Sequence, residues 1–250
     1  MLFFFKEKKV VVDAFCSEET AHAYDYAPID YADQFYPEWW KKLGKTEFDF
    51  TQLERKIETM KLCAGFLDHY SKGLIIPMWS ELAIKTFNGL YSYQYSDRTS
   101  KADHHANEQR KGFYDDHLNI KLISPWLLRS EKNVSFTFLP AFWNNAQAPN
   151  YQVATGTTNF YYQFGTHINL LVKDHQEFII PFNHPMLHLM PLTERKVELR
   201  RHLVSAAEFE RERHKMKEIT FVGAYHKLKK HRELMEEKQA SKCPFHRFMK

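Results

Sequence analysis

Between Ile179 and Ser205 the chain reads IIPFNHPMLHLMPLTERKVELRRHLVS, and its residues alternate with a period of two. Met186, His188 and Met190 fall on one face of a short strand, Leu187 and Leu189 on the other. A strand that is apolar on both faces must be covered on both, so the chain needs a sheet with packed layers on either side. His188 sits inside that strand, where a charged imidazolium would be heavily desolvated. Two roles suit it: a core histidine that donates to a backbone carbonyl, or one wall of a pocket. The segment closes a strand-rich body and leads into a basic helical tail.

Strand patterns recur upstream. Val10–Val12 with Phe15 reads as one strand, and Leu74–Trp79 as a short buried run. Ala83–Phe87 and Leu90–Tyr95 flank Asn88-Gly89, a strong hairpin signal because both residues tolerate positive φ. Further strands are expected at Leu118–Ser124, Val134–Leu139, Asn159–Gln163, Ile168–Val172, Glu177–Ile180, Met186–Met190 and Val197–His202. Asp174-His175 is expected to turn the pair on either side of it, and 97–116 to form a long polar loop. Helices are signalled twice by capping boxes. Thr51-x-x-Glu54 precedes Leu53, Ile57, Met60, Ala64 and Leu67 on one helical face, with a stop near Gly73. Ser205-x-x-Glu208 opens a helix to about Lys217, and Phe221, Tyr225 and Leu228 begin another that fades near Gln239.

The pattern predicts a mainly β protein with flanking helices (α+β), built on an antiparallel β-sandwich or jelly-roll-like core. Residues 1–50, rich in Phe, Tyr and Trp, are expected to form an aromatic N-terminal arm. Residues 51–204 form the core with one leading helix, and 205–250 a basic helical extension. Aromatics at 16% and only 8 glycines suit a packed sheet rather than a glycine-rich nucleotide binder. Neither G-x-x-x-x-G-K-[ST] nor G-x-G-x-x-G occurs, and no G-x-S-x-G elbow supports a nucleophilic triad.

Charge is divided unevenly. From Arg195 onward there are 16 basic and 8 acidic residues, which leaves 19 basic and 23 acidic before it. The positive balance therefore belongs to the tail. The cysteines, Cys16, Cys63 and Cys243, are odd in number and widely spaced, which fits reduced thiols better than a disulfide framework. The longest apolar runs, such as Leu74–Met78, fall far short of the ~18 residues that span a bilayer. Met1-Leu-Phe-Phe-Phe-Lys lacks the form of a signal peptide, so no membrane association and a cytoplasmic setting are expected.

Fourteen histidines, about twice an ordinary share, raise the question of a metal. An iron site on a jelly roll needs two histidines and a carboxylate around one vacancy. His175-x-Glu177 and His231-x-Glu233 have near-adjacent spacing, and His104 and His105 beside Asp103 form a looser cluster with His167 downstream. Cys243-Pro-Phe-His246 has the spacing of half a zinc site. Set against these, the paired histidines read as a solvated loop and Cys243 as a buried thiol. Trp79, Trp126 and Trp143 each lie near a strand end and a proline, where they either line a pocket with His188 or cap the core. The run with Lys227, Lys229, Lys230 and Arg232 suits phosphate contacts. It equally suits a solvated helix face, since Glu236 follows Arg232 at i,i+4.

Several separated blocks are familiar together: FYPEWWKKLGKT (35–46), TMKLCAGFLDHYSKGLIIPMWSELAI (59–84), KLISPWLL (121–128), HPMLHLMPLTERKVELRRHLVS (184–205) and CPFH (243–246). In combination they resemble an uncharacterised family of tailed-phage proteins, especially of large marine phages that infect cyanobacteria. The resemblance implies a product made in the cytoplasm of an infected bacterium, and either kept there or packaged in the virion. It brings no activity and no catalytic residues. Two functions are expected from these features. The first is a non-catalytic binding or assembly protein, self-associating as a homo-oligomer and meeting an acidic protein or nucleic acid through its tail. The alternative is an iron- or zinc-dependent enzyme with its site inside the β-sandwich.

Overall fold

A computed structural model describes residues 8–105, 109, 112, 115–145, 150–217 and 224–241. In chain order its elements begin with β1 (Val10–Ser17), α1 (Ala21–Tyr26), β2 (Asp30–Tyr31), α2 (Glu38–Lys42), β3 (Thr46–Asp49), β4 (Arg55–Glu58), α3 (Ala64–Ser71), β5 (Leu74–Pro77), β6 (Leu82–Phe87) and β7 (Leu90–Tyr95). They continue with β8 (Lys101–His105), β9 (His117–Ser130), β10 (Phe136–Pro140), α4 (Phe142–Asn145), β11 (Tyr151–Val153), β12 (Gly156–Thr158) and β13 (Gly165–Lys173). The last are β14 (Glu177–Ile180), β15 (Pro185–Pro191), β16 (Val197–Val204), α5 (Ala206–Lys217) and α6 (Ala224–Ser241). The protein is mainly β with several sheets and a few helices.

The largest sheet runs β11-β13-β9-β1-β16, and β8 also pairs with β9. The length of β9 lets one edge carry two neighbours, β8 along 119–123 and β1 along 126–130. Only β1 and β16 pair in parallel in this sheet. A second sheet runs β12-β10-β15-β5-β2, a third β14-β6-β7, and β3–β4 stands alone as a hairpin.

Alternation along the strands builds one shared core. Val10, Val12 and Ala14 on β1, Ile120, Leu122 and Leu128 on β9, and Ile168 and Leu170 on β13 are fully buried. They join Leu74, Ile76, Leu187 and Leu189 from the second sheet and Leu82 and Ile84 from the third in a single apolar cluster. The expectation of a strand covered on both faces holds for β15. Its Leu187 and Leu189 enter that cluster, while His188, paired with Ile75, turns to the other side. There Trp40, Phe66, Tyr70 and Ile75 form a second cluster with Tyr36 and Trp143.

The Asn88-Gly89 hairpin forms as expected, with φ of 52° and 75° at its two turn residues. So does the cap at Ser205, whose Oγ accepts from the Glu208 amide at 3.3 Å. Five expectations need correction. The expected α-helix does not begin at Thr51, where a turn and β4 stand instead, with one 3-10 turn at Met60–Leu62, because Asp49 competes for the backbone. Its carboxylate accepts from the amides of Thr51, Gln52 and Leu53, which closes the β3–β4 turn and leaves the helix to start at Ala64. The polar stretch after Asp97 contains a strand, since β8 pairs with β9 over Lys101–His105. Asn159–Gln163 is a turn, where Asn159 Oδ1 accepts from the Tyr161 amide and its carbonyl from the Tyr162 and Gln163 amides. Asp174-His175 does not join paired strands, for β13 and β14 belong to different sheets. Finally, β1 lies between β9 and β16, so Val10–Ser17 is part of the largest sheet rather than of an arm.

Candidate functional site

The residues singled out from sequence lie in separate parts of the fold. Trp79 and Trp126 are buried in the main cluster, whereas Trp143, on α4, packs against the second, which His188 adjoins through Tyr70, so the three tryptophans do not share one pocket. Only Trp126 lies on a strand, β9; Trp79 follows β5 and Trp143 sits on α4, so no common strand face gathers them. His188 donates from Nε2 to the Lys72 carbonyl at 2.7 Å, which leaves Nδ1 to accept from His69 Nε2 at 3.2 Å. Burial pushes the His188 imidazole down to about 4, and burial lowers that of His69 as well. Tyr70 stands beside both rings and donates to Asn144 Oδ1 at 2.8 Å.

The candidate metal ligands are likewise dispersed. Successive side chains on β8 point to opposite faces, which parts His104 from His105. His104 lies against Tyr91, His105 Nδ1 is 3.1 Å from Gln109 Oε1, and His167 stands on β13 across the intervening β9. His175 packs on Phe87, Glu177 pairs with Lys85, and Glu233 accepts from the Tyr162 hydroxyl. No group of three or more His, Cys, Asp or Glu is placed to hold a metal among the described residues. Cys243 and His246 lie outside those residues, as do Phe221 and the first aromatic run, Phe3–Phe5.

The basic tail lines one cleft. It has a volume of about 830 Å³ and opens between α6, the end of β9 and the 160–164 turn. From α6 it receives His231, Arg232, Met235 and Glu236, which the helical repeat places on one side. Arg129 to Lys132 form the opposite wall with Lys8 and Lys9, and Tyr161 and Phe164 lie between. Five cations (Lys8, Lys9, Arg129, Lys132, Arg232) face three carboxylates (Asp13, Glu131, Glu236), so the lining is net positive.

Specific contacts dock the helix. Arg232 Nη1 donates to the Tyr161 carbonyl at 2.6 Å, and its guanidinium centre lies 5.8 Å and 5.9 Å from the Tyr161 and Phe164 ring centres. The Tyr161 hydroxyl donates to Glu236 Oε1 at 2.6 Å, and Lys132 pairs with the other oxygen of Glu236. These two bonds, from Lys132 and then Tyr161, hold the Glu236 carboxyl below the usual carboxylate range. Elsewhere along the rim Arg129 pairs with Glu212 of α5, and Arg195 with Glu131. Asp13 accepts from His202 Nε2 at 2.9 Å, and that ring stacks on Phe15.

Arg232 therefore points into the body, against the expectation of an outward basic run. Lys227, Lys229 and Lys230 on the turns before it are exposed, although the Lys229 ammonium still lies 5.9 Å from the Tyr162 ring centre. Lys132 and Tyr161 were not singled out from sequence, and Glu236, expected to pair with Arg232 along the helix, bonds to these two instead. Their contacts join positions 71 to 104 residues apart, and no local pattern announces them.

No family model matches the chain, and neither a curated protein nor a solved structure is similar to it. No helix among the described residues is long and apolar enough to cross a membrane.

Proposed function

We propose that the chain is a tailed-phage binding or assembly protein without catalytic activity, which meets an anionic partner at the α6 end of the molecule. The observation that carries this reading is the docked helix. Arg232 and Glu236 spend their charge on the body, while Lys227, Lys229 and Lys230 remain exposed beside a net-positive cleft that also holds Lys8 and Lys9. An anion there gains several cations already fixed on one rigid element, and binding of this type is driven by phosphate neutralisation and weakens steeply with salt.

The phage origin rests on the shared blocks at 35–46, 59–84, 121–128 and 184–205, and with it the setting, the infected cytoplasm or the virion. In this reading the two larger sheets face each other as a β-sandwich of jelly-roll type, supported by their common core. The domain plan becomes a body that includes β1, with α5 and α6 as a basic extension. Self-association is supported less by the first fifty residues as a whole, since Tyr36 and Trp40 are consumed in the second cluster, than by the β3–β4 hairpin. There Phe48, Leu53 and Phe50, the last 80% exposed, lie at the surface of the described residues.

A mobility-shift assay tests the anionic site. The full chain is expected to retard single-stranded DNA or RNA near ~50 mM salt, and Lys227→Glu, Lys229→Glu and Lys230→Glu together to abolish the shift without loss of fold. Retention of an acidic polypeptide instead of nucleic acid would point to a protein partner. Loss of neither on charge reversal would remove the site from the account.

A further inference from the structure

A smaller cavity, of about 220 Å³, lies beside β12 and is separate from the cleft at α6. Phe138 on β10, Thr157 on β12, Gln163, and His167 and Asn169 on β13 line it. The period of two along β13 explains two of these. Ile168 and Leu170 are fully buried in the core, so His167 and Asn169 project from the other face.

None of the lining residues is ionised near neutral pH. Burial holds the His167 imidazole down to about 4, and the neighbouring Lys121 and His105 add to the effect. Three polar atoms on this face of the sheet are buried without a hydrogen-bond partner among the described residues: His167 Nδ1 and Asn169 Oδ1 on β13, and Asn119 Oδ1 on β9. Buried acceptors of this kind are costly to leave unpaired. Two glycines border the space. Nothing lies within 4 Å of where a Cβ of Gly156 would stand, and a Cβ on Gly165 would stand 3.4 Å from His167 Nε2 and 3.8 Å from Gln163 Nε2. Those two nitrogens therefore converge on one side of the cavity.

The chemistry selects its ligand by exclusion. A phosphate or carboxylate would find no cation in the lining itself, since Lys121 stands across from Asn169 on β9 but outside it. A purely apolar ligand would strand the amides of Gln163 and Asn169 in a drier site than they now occupy. What suits one aromatic wall, two amides and a neutral imidazole is a ring that carries many hydroxyl groups and one apolar face. The volume, below the roughly 300–1,000 Å³ of sites for larger ligands, limits it to a single ring. We propose that this cavity binds one neutral sugar unit, with Phe138 against the apolar face of the ring and Gln163, His167 and Asn169 bonded to its hydroxyls. Rotation of the Asn169 amide about its terminal torsion turns the unpartnered Oδ1 toward a sugar O–H donor.

Saturation-transfer NMR on the full chain tests this with four probes at millimolar concentration: the methyl glycosides of glucose, galactose, mannose and N-acetylglucosamine. Adenosine serves as a neutral planar comparator. At least one glycoside is expected to show ring-proton transfer. Asn169→Leu and Gln163→Leu should each weaken it at least tenfold, whereas charge reversal at Lys227, Lys229 and Lys230 should leave it unchanged. If Asn169→Leu does not fold, Gln163→Leu decides, since that side chain is only half-buried. Absence of transfer from all four glycosides overturns the proposal. So does transfer unaffected by either substitution, or binding of adenosine that no glycoside displaces.

Discussion

His188 occupies a strand whose neighbours are apolar, and its two nitrogens are both used: one donates to the Lys72 carbonyl and one accepts from His69. Burial disfavours the imidazolium, against a smaller opposing effect of the bond to Lys72, so the folded protein resists protonation down to about 4 while an unfolded histidine titrates near ~6.5. A group whose folded value is depressed contributes its full stabilisation above the unfolded value and loses it as pH falls through the folded one. Unfolding free energy is therefore expected to drop between about pH 6.5 and 4, by on the order of 3 kcal/mol from this residue. Denaturant titrations across that range measure it, and in His188→Gln the decline should flatten, at a cost of about 1–3 kcal/mol at neutral pH. A decline as steep in the variant as in the parent would assign the effect elsewhere. Beside this pair, Gly73 has a φ of 81°, and a Cβ there would collide with the Leu189 carbonyl and crowd His188 Nε2. Gly73→Ala should thus cost more than ~1 kcal/mol, read as a lowered unfolding midpoint in the same titrations.

At the scale of elements, α6 is held by bonds that its own helical pattern does not reveal. Arg232→Ala removes the donor to the Tyr161 carbonyl, and Tyr161→Phe the donor to Glu236. Hydrogen exchange should show faster exchange along 224–241 in both variants and no change in β9 or β13. Exchange that stays slow would mean the helix is held by other contacts. The contrast between elements also explains what sequence could disclose. Asn88-Gly89 and the Ser205 cap were legible because each is decided by residues within four positions. The Thr51 box was equally local yet misleading, because Asp49 bids for the same amides from two residues upstream. The parallel pairing of β1 with β16, Val10 opposite Val197, leaves no trace in either segment alone. For the same reason the tail's basic run was visible, but not that Arg232 belongs to the body and the lysines to the surface.

The whole molecule combines a slightly acidic first part with a basic end, and α5 and α6 are tied back to the sheets by Arg129–Glu212 and Lys132–Glu236. Exposed Phe48 and Phe50, with rings 4.6 Å apart on the lone hairpin, remain outside any core. Light scattering at tens of micromolar is expected to give a mass well above the 29.9 kDa of one chain, and Phe50→Ser with Leu53→Ser to lower it. A monomer in the parent protein would end that part of the reading. The anionic site is the central claim, and its most direct test is the salt dependence of single-stranded DNA binding in the parent and in the variant reversed at Lys227, Lys229 and Lys230. Each phosphate contact contributes roughly 0.7 to the slope of log affinity against log salt. The account predicts a slope shallower by about 2 in the variant, together with weaker binding near ~50 mM salt. An identical slope in both proteins, or no binding by the parent at that salt, would contradict it.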